Sequence, residues 1–343
     1  KNVAQAWRSR GQGGGGKMLP QAPAKPSGER PRGSPSGARR LVRPPTPPPT
    51  IPEDGPAPPE FDLDAPPTEV MENELTFAEC VGKGVTAEVF RGEWKGKEVC
   101  IKQILLGKKI TSHKHQVAFS REVSVLSKLK HPHLLELFGV CFGNKLCVIT
   151  EFCSGGSLFE LLHNCYEIEL QWSQKTKMAT DVASAMHYLH TFKPQIIHRD
   201  LKSLNLLLAK PVLDSKTTPI VKVADLGLAR MKDMDAEWEK MTKSVGTCHW
   251  MAPEVISGRY DVKADVYSYA MCLFEIICRQ VPFEDEEGAD VINLIGSGKR
   301  PELQEAVPPG CPKGLTELMV KCWDQEPDAR PEFSSILAVV SKM

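Results

Sequence analysis

The sequence has no Cys-x-x-Cys pair, no uncharged apolar run approaching 18 residues, no internal repeat and no net charge. Each absence excludes something. Cysteine-based metal sites draw on ligands spaced two to four residues apart, whereas the closest spacing here, in Cys141, Cys147 and Cys153, leaves five residues between neighbours. Zinc is therefore not expected, and the odd number of cysteines, eleven, reads as free thiols in a reducing compartment. Without a long apolar run no transmembrane helix is expected, and no signal peptide is visible. With 43 basic against 43 acidic residues the chain is not a polycation that coats nucleic acid, and no specific nucleic-acid partner is expected. The chain opens Lys1-Asn2-Val3 rather than on methionine, as a fragment would.

What is present is unevenly placed. Residues 1–70 hold 16 of the 28 prolines, 9 of the 26 glycines and no cysteine. Such a stretch buries too little apolar surface to offset its ordering entropy, so residues 1–75 are expected to form a disordered tail. Charge divides the tail, with +9 from Lys1 to Arg43 and −8 from Pro44 to Leu75. The run from Arg43 to Pro49 favours polyproline II, a ligand for the aromatic grooves of SH3- or WW-type partners, or else a plain solvated linker. From Thr76 the texture changes to apolar runs with regular turns, over 268 residues carrying 33 bases and 34 acids. Short strands are predicted at Thr76–Val81, Ala87–Trp94, Lys97–Ile104, Leu137–Phe142 and Leu146–Phe152. One helix, about Gln116–Leu129, interrupts them. Helices dominate thereafter, at Ser173–Thr191, Val262–Cys278, Lys313–Trp323 and Phe333–Lys342. Strands first and helices later predict an α+β fold in two lobes.

Within Val81-Gly82-Lys83-Gly84-Val85-Thr86-Ala87-Glu88-Val89, two glycines between strands allow backbone amides to approach phosphates. Alone they equally mark a tight hairpin, and because they join two strands a Rossmann site is disfavoured. Lys102, in the apolar run Val99-Cys100-Ile101-Lys102, needs a carboxylate to hold it if it faces phosphates. Glu122 is the sole acid between Lys102 and Glu136, so it is the partner by elimination. In His198-Arg199-Asp200-Leu201-Lys202-Ser203-Leu204-Asn205, Asp200 can serve as a base beside a hydroxyl, Asn205 can offer an amide oxygen to a metal, and Lys202 can neutralise phosphoryl charge. Asp225, in Val223-Ala224-Asp225-Leu226-Gly227, follows a buried β run and suits magnesium, although singly an Asp-x-Gly is more often a turn.

In this order, and with Ala252-Pro253-Glu254, Asp265 and Arg330 following, residues 76–343 resemble a eukaryotic protein kinase domain. The resemblance implies a small β-rich N-lobe with one helix, about 76–152, and a larger helical C-lobe, about 153–343. It implies that Gly82 to Val89 cover the phosphates of ATP, with Val81 also ATP-binding, that Lys102 paired with Glu122 holds the α and β phosphates, and that Cys100 lies over the adenine. Glu151 to Cys153 would form the hinge that meets adenine, with Thr150 at the back of the pocket and Leu207 also among the ATP-binding residues. Asp200 would orient the substrate hydroxyl, and Asn205 and Asp225 would hold Mg2+. Glu254 and Arg330 are expected to pair in the interior. Lys202, two after Asp200, resembles serine/threonine kinases, as does Thr247 in Gly246-Thr247-Cys248. Gly155-Gly156-Ser157-Leu158 and Cys322-Trp323 resemble tyrosine kinases. The mixture is similar to the tyrosine-kinase-like group, including Raf-like and mixed-lineage kinases, and implies serine/threonine specificity on protein substrates in the cytoplasm.

The sequence departs from the family pattern at Ala87 (third glycine), Cys100 (alanine), Leu226 (phenylalanine) and an insertion over Lys210–Pro219, none of which removes a catalytic group. Arg199 and Arg230 are expected to form a cationic pocket for a phosphate on Thr242 or Ser244 of the activation loop, whose segment also holds Thr247.

Overall fold

The computed structural model describes residues 67–84, 87–105, 123–124, 126–142, 145–226 and 248–343. The tail to residue 66, most of the helix predicted at Gln116–Leu129, and the site candidates Val85, Thr86, Glu122, Arg230, Thr242, Ser244 and Thr247 lie outside the described residues. Of that helix, Val123, Ser124, Leu126 and Ser127 are described and helical.

Five antiparallel strands, β1 (Leu75–Lys83), β2 (Ala87–Trp94), β3 (Lys97–Ile104), β4 (Leu137–Phe142) and β5 (Leu146–Glu151), form one sheet in the order β1-β2-β3-β5-β4. Period-two alternation sets its two faces. In β3, Val99, Ile101 and Gln103 are buried, and the first two join a core cluster with Leu75, Cys141 and Ile149. Cys100 and Lys102 alternate onto the opposite face, registered against Thr150 and Val148 of β5. The same pleat that fills the N-lobe core therefore aims Cys100 and Lys102 at one cleft. Truncating the fully buried Ile101 to alanine would cost about 2–5 kcal/mol. At Gly92 the sheet admits no side chain, since an added Cβ would stand 2.5 Å from Ile101 Cδ1 and from the Thr76 carbonyl.

The sheet begins earlier than the sequence suggests. Residues 68–70, at the end of the proline- and acid-rich stretch read as tail, lie along β4: Val70 N–H donates to the Val140 carbonyl at 2.7 Å, and Val140 N–H to the Thr68 carbonyl at 2.9 Å. Val70 is 1% exposed, so one apolar side chain inserted into the core anchors an otherwise polar strap.

The C-terminal part is helical, with α1 (Leu158–His163), α2 (Trp172–Thr191), α3 (Pro253–Ile256), α4 (Val262–Cys278), α5 (Gly288–Gly296), α6 (Lys313–Cys322) and α7 (Phe333–Val340). Between α2 and α3 the short strands β6 (Leu206–Leu208) and β7 (Val221–Val223) pair antiparallel. Predicted and observed boundaries differ by at most two residues in each of these strands and helices for which a range was predicted. Helix α4 starts on Asp261, whose side chain accepts from Lys263 N–H at 2.8 Å. Fifteen of its 17 residues are buried, which is the signature of a central helix covered on every side. The 210–219 insertion closes on Asp214, whose Oδ1 accepts from the N–H groups of Lys216 and Thr217.

All eleven cysteines are free, and six are buried. No helix among the described residues is long and apolar enough to cross a membrane.

Candidate active site

The segment Ile196–Asn205 holds the residues to which the resemblance assigns catalysis, and buried groups hold it in place. Asp265, fully buried on α4, receives His198 N–H on Oδ2 at 2.8 Å, Arg199 N–H on Oδ1 at 2.9 Å and His190 Nε2 on Oδ2 at 2.9 Å. The His198 ring, also fully buried, donates through Nε2 to the Ala224 carbonyl at 3.0 Å and accepts from Asp200 N–H through Nδ1 at 3.3 Å. Arg199 consequently sits at φ 67°, a left-handed conformation that a non-glycine residue keeps when its neighbours enforce it. The Tyr260 hydroxyl donates to the Arg199 carbonyl from the other side. The loop is thus clamped immediately before Asp200.

Asp200, Lys202 and Asn205 converge as the sequence implies. Lys202 Nζ lies 2.9 Å from both carboxylate oxygens of Asp200. Asn205 Nδ2 donates to the Asp200 carbonyl at 2.7 Å and to its Oδ2 at 3.0 Å. With its nitrogen so engaged, Asn205 has its amide oxygen left to offer a cation. The Asn205 carbonyl accepts from Ala224 N–H at 2.9 Å, which brings Asp225 alongside the loop.

Asp225 stands at φ 65° and forms an ion pair with Lys102. Burial would raise its carboxyl, but the charge and hydrogen bond of Lys102, with smaller help from His198 and Lys202, hold it below the ordinary value. Lys102 is therefore joined to Asp225, and its expected partner Glu122 lies outside the described residues. Oxygen donors from Asp225 and Asn205 form a hard set that fits Mg2+.

A cavity of about 260 Å³ opens between the sheet and this loop. Of the sequence candidates, Val89, Cys100, Lys102, Thr150, Asn205, Leu207 and Asp225 line it. Val81, Gly82, Lys83, Gly84, Ala87 and Glu88 belong to the hairpin beside it instead, where Gly84 N–H donates to the Ala87 carbonyl at 2.8 Å and Lys83 pairs with Glu88. A Cβ on Gly82 would meet nothing closer than Val89 at 3.5 Å. Packing within the protein therefore does not demand that glycine, and the backbone there is open to a ligand. The Glu151 side chain is not in the cavity; it accepts from Glu136 N–H at 2.7 Å and Lys222 Nζ at 2.6 Å, tying the hinge to β7. Cys153 is likewise outside the lining, and burial, then the charge of Glu151, pushes its thiol up to about 12.

Sequence reasoning missed the apolar back wall of the cavity, formed by Val123, Leu126, Leu129, Leu135, Leu137 and Val148. It also missed Glu275 of α4, fully buried, which accepts from Ser203 Oγ at 2.6 Å, Trp250 Nε1 at 2.6 Å and His163 Nε2 at 3.0 Å. No local motif announces either group. Gly155 has a packing reason: an added Cβ would lie 2.4 Å from the Lys210 carbonyl, and its N–H donates to Leu208 at 3.0 Å, joining the hinge to β6. The expected Glu254–Arg330 pair is present and bidentate, at 2.6 and 2.9 Å, with the Arg330 side chain wholly buried.

The family model described as "Protein tyrosine and serine/threonine kinase" matches residues 75–340. Among relatives, a "probable serine/threonine-protein kinase" of Dictyostelium discoideum is 40% identical over 276 residues, covering 80% of this chain and 25% of the relative. The dual specificity protein kinase splA of the same organism is 36% identical over 287 residues, covering 80% and 12%. A "probable serine/threonine-protein kinase" of Arabidopsis thaliana is 36% identical over 278 residues, covering 80% and 25%. The chain thus spans about a quarter or less of the length of these relatives. With its lysine, aspartates and asparagine gathered at one cleft beneath a glycine-bearing hairpin, the chain belongs to the protein tyrosine and serine/threonine kinase family.

Proposed function

We propose that the chain transfers the γ-phosphate of ATP to serine and threonine hydroxyls of proteins, with tyrosine-kinase-like lineage and a cytoplasmic location. The observation that carries this reading is that Lys102, Asn205 and Asp225 line the cavity while Asp200 is joined to Asn205 by a hydrogen bond and to Lys202 by an ion pair. Apolar walls between Val89, Cys100 and Leu207 suit a flat base, and the open backbone at Gly82 suits phosphates. Asn205 and Asp225 would hold Mg2+, whose positive charge offsets that of the phosphate oxygens. Asp200 accepts or orients the proton of the attacking hydroxyl, and a positioned base of this kind contributes about 10²–10⁴ in rate. Lys202, on the Asp200 carboxylate, places a cation where phosphoryl charge passes. Phosphoryl transfer asks for little covalent help, so alignment and charge neutralisation supply most of the acceleration.

Lys202 two residues after Asp200 supports serine/threonine specificity, while the Gly155–Leu158 turn supports the tyrosine-kinase-like lineage. A phosphate on Thr242 or Ser244 would recruit Arg199 and Arg230, with Thr247 near the catalytic loop, and so order the segment before Ala252. The chain before the strap at Thr68 acts as the tail, and its proline run offers itself to SH3- or WW-type domains.

Incubation with Mg-ATP and a peptide library, followed by mass spectrometry, should yield phosphoserine and phosphothreonine. Asp200→Asn should abolish them without loss of folding. Undiminished transfer by Asp200→Asn would refute the mechanism, phosphotyrosine alone would refute the specificity, and both kinds together would mark dual specificity, as in the named relative.

A further inference from the structure

Among the eleven free thiols one pair is singled out by strand register. Cys141 on β4 stands directly opposite Cys147 on β5. No other register pair among the described residues has cysteine on both strands. Directly opposed residues of antiparallel strands hold their Cα atoms about 4.5 or 5.5 Å apart, according to whether the pair is hydrogen-bonded. Either distance falls inside the window of about 4.4–6.8 Å that a disulfide requires. Opposed residues also share a sheet face. Accordingly both thiols belong to the cluster containing Val70, Leu75 and Ile149, while Val140 and Val148 belong to the cluster on the other face.

The pair is buried, at 1% and 3% exposure, and Val70 of the strap is part of its cover. Strand β4 is the edge of the sheet. The strap at Thr68–Val70 runs beside it, with two backbone hydrogen bonds at Val140 and the Val70 side chain in the shared cluster. Detachment of that strap would withdraw the Val70 side chain from the cluster.

We propose that Cys141 and Cys147 form a modification site at which hydrogen peroxide closes an intramolecular disulfide across the β4–β5 hairpin. One thiol loses its proton and attacks a peroxide oxygen, giving a sulfenic acid and releasing water. The second thiol then attacks the sulfenic sulfur, forms the S–S bond and expels a second water. Two electrons and two protons pass from the thiols to the peroxide, which is reduced to water. Desolvation, then the neighbouring Cys141, pushes the Cys147 thiol up to about 11, so attack is slow while the strap is seated and proceeds through its opening. Cys80 supplies an internal standard, being exposed and registered against Phe90, with no thiol opposite to resolve a sulfenic acid.

The test exposes the full chain to hydrogen peroxide, alkylates the remaining thiols under denaturing conditions, digests with trypsin and reads the peptides by mass spectrometry. Lys145 lies between the two cysteines, so a disulfide joins two peptides that separate on reduction. The expected result is a reducible Cys141–Cys147 linkage that Cys147→Ser abolishes. Val70→Ala, which thins the cover, should accelerate linking several-fold relative to Cys80 oxidation in the same sample. The proposal is overturned if Cys141 and Cys147 remain alkylatable at doses that oxidise Cys80, or if Cys141 links to another cysteine. An unchanged linking rate in Val70→Ala overturns the role of the strap. Should Cys147→Ser fail to fold, the wild-type linkage and the Val70→Ala rate still decide.

Discussion

Replacing Asp265 by asparagine tests whether the catalytic loop is held from α4. The substitution keeps the shape of a fully buried side chain and removes one acceptor. Three donors converge on the carboxylate: His198 N–H and His190 Nε2 on Oδ2, and Arg199 N–H on Oδ1. An amide whose oxygen keeps the first two turns its NH2 toward Arg199 N–H. A hydrogen bond to a charged group is worth about 1.5–3 kcal/mol, and a buried donor left unpaired costs about 1–3 kcal/mol. These terms overlap, so the loss is about 2–4 kcal/mol if the loop keeps its shape. The loop has an escape, because Arg199 at φ 67° relaxes about 1–2 kcal/mol of left-handed strain by leaving it. Leaving it displaces Asp200, the next residue, and a misplacement of about 1 Å costs about 10²-fold in rate. Lys102, Asp225 and the cavity walls have no bond to Asp265, so binding of ATP should be spared. We expect Asp265→Asn to lose about 10- to 100-fold in kcat with little change in the KM for ATP. Steady-state phosphate transfer to a generic protein substrate measures the first, and urea unfolding measures how much of the penalty appears as stability. Wild-type kcat together with wild-type stability would refute the clamp.

Two further outcomes concern stability. Arg330→Met or Glu254→Gln leaves a buried charge without its partner and should cost about 3–5 kcal/mol in urea unfolding, whereas Glu254→Leu with Arg330→Met should recover much of it. His131 should make stability fall in mild acid. Desolvation, then the charges of His133, Lys222 and His187, lowers it to about 4, while in the unfolded chain it titrates at about 6.5. Between those values the unfolded state binds the extra proton, so stability decreases as pH falls from about 6.5 to about 4 and is level again below. The geometry supplies the reason: His131 Nδ1 accepts from His133 N–H at 3.1 Å, and a proton there would set donor against donor. Unfolding curves across this range check it, and His131→Asn, which keeps an acceptor, should flatten the dependence.

Legibility followed the range over which each force acts. The strands at Ala87–Trp94 and Lys97–Ile104 end where alternation and the Lys95-Gly96 turn end, both local properties. The approach of Asp200, Lys202 and Asn205 to one another was readable because all three lie within one six-residue segment. The strap was not readable, because proline and acid outweigh one inserted valine in any count made along the chain. Glu275 was not readable either. Its partners Ser203, Trp250 and His163 lie 72, 25 and 112 residues away, and a lone carboxylate in an apolar helix carries no sign of what it meets.

That carboxylate and Asp265 share one logic. Both sit on α4, fully buried, where desolvating an unpaired charge would cost several kcal/mol. Each accepts from three donors, and the donors are not drawn from the helix itself. Asp265 takes the two backbone N–H groups just before Asp200, while Glu275 takes the hydroxyl of Ser203, between Lys202 and Asn205, and the indole of Trp250 near Ala252. Nearly three turns of helix separate the two carboxylates, and a helix rises about 1.5 Å per residue, so they stand about 15 Å apart along the axis. Buried apolar packing fixes that axis from every side. This helix, buried over 15 of its 17 residues, therefore acts as a ruler, holding the segment around Asp200 at two points and the stretch before Ala252 at one. Softening its packing should loosen chemistry before it loosens the binding of ATP.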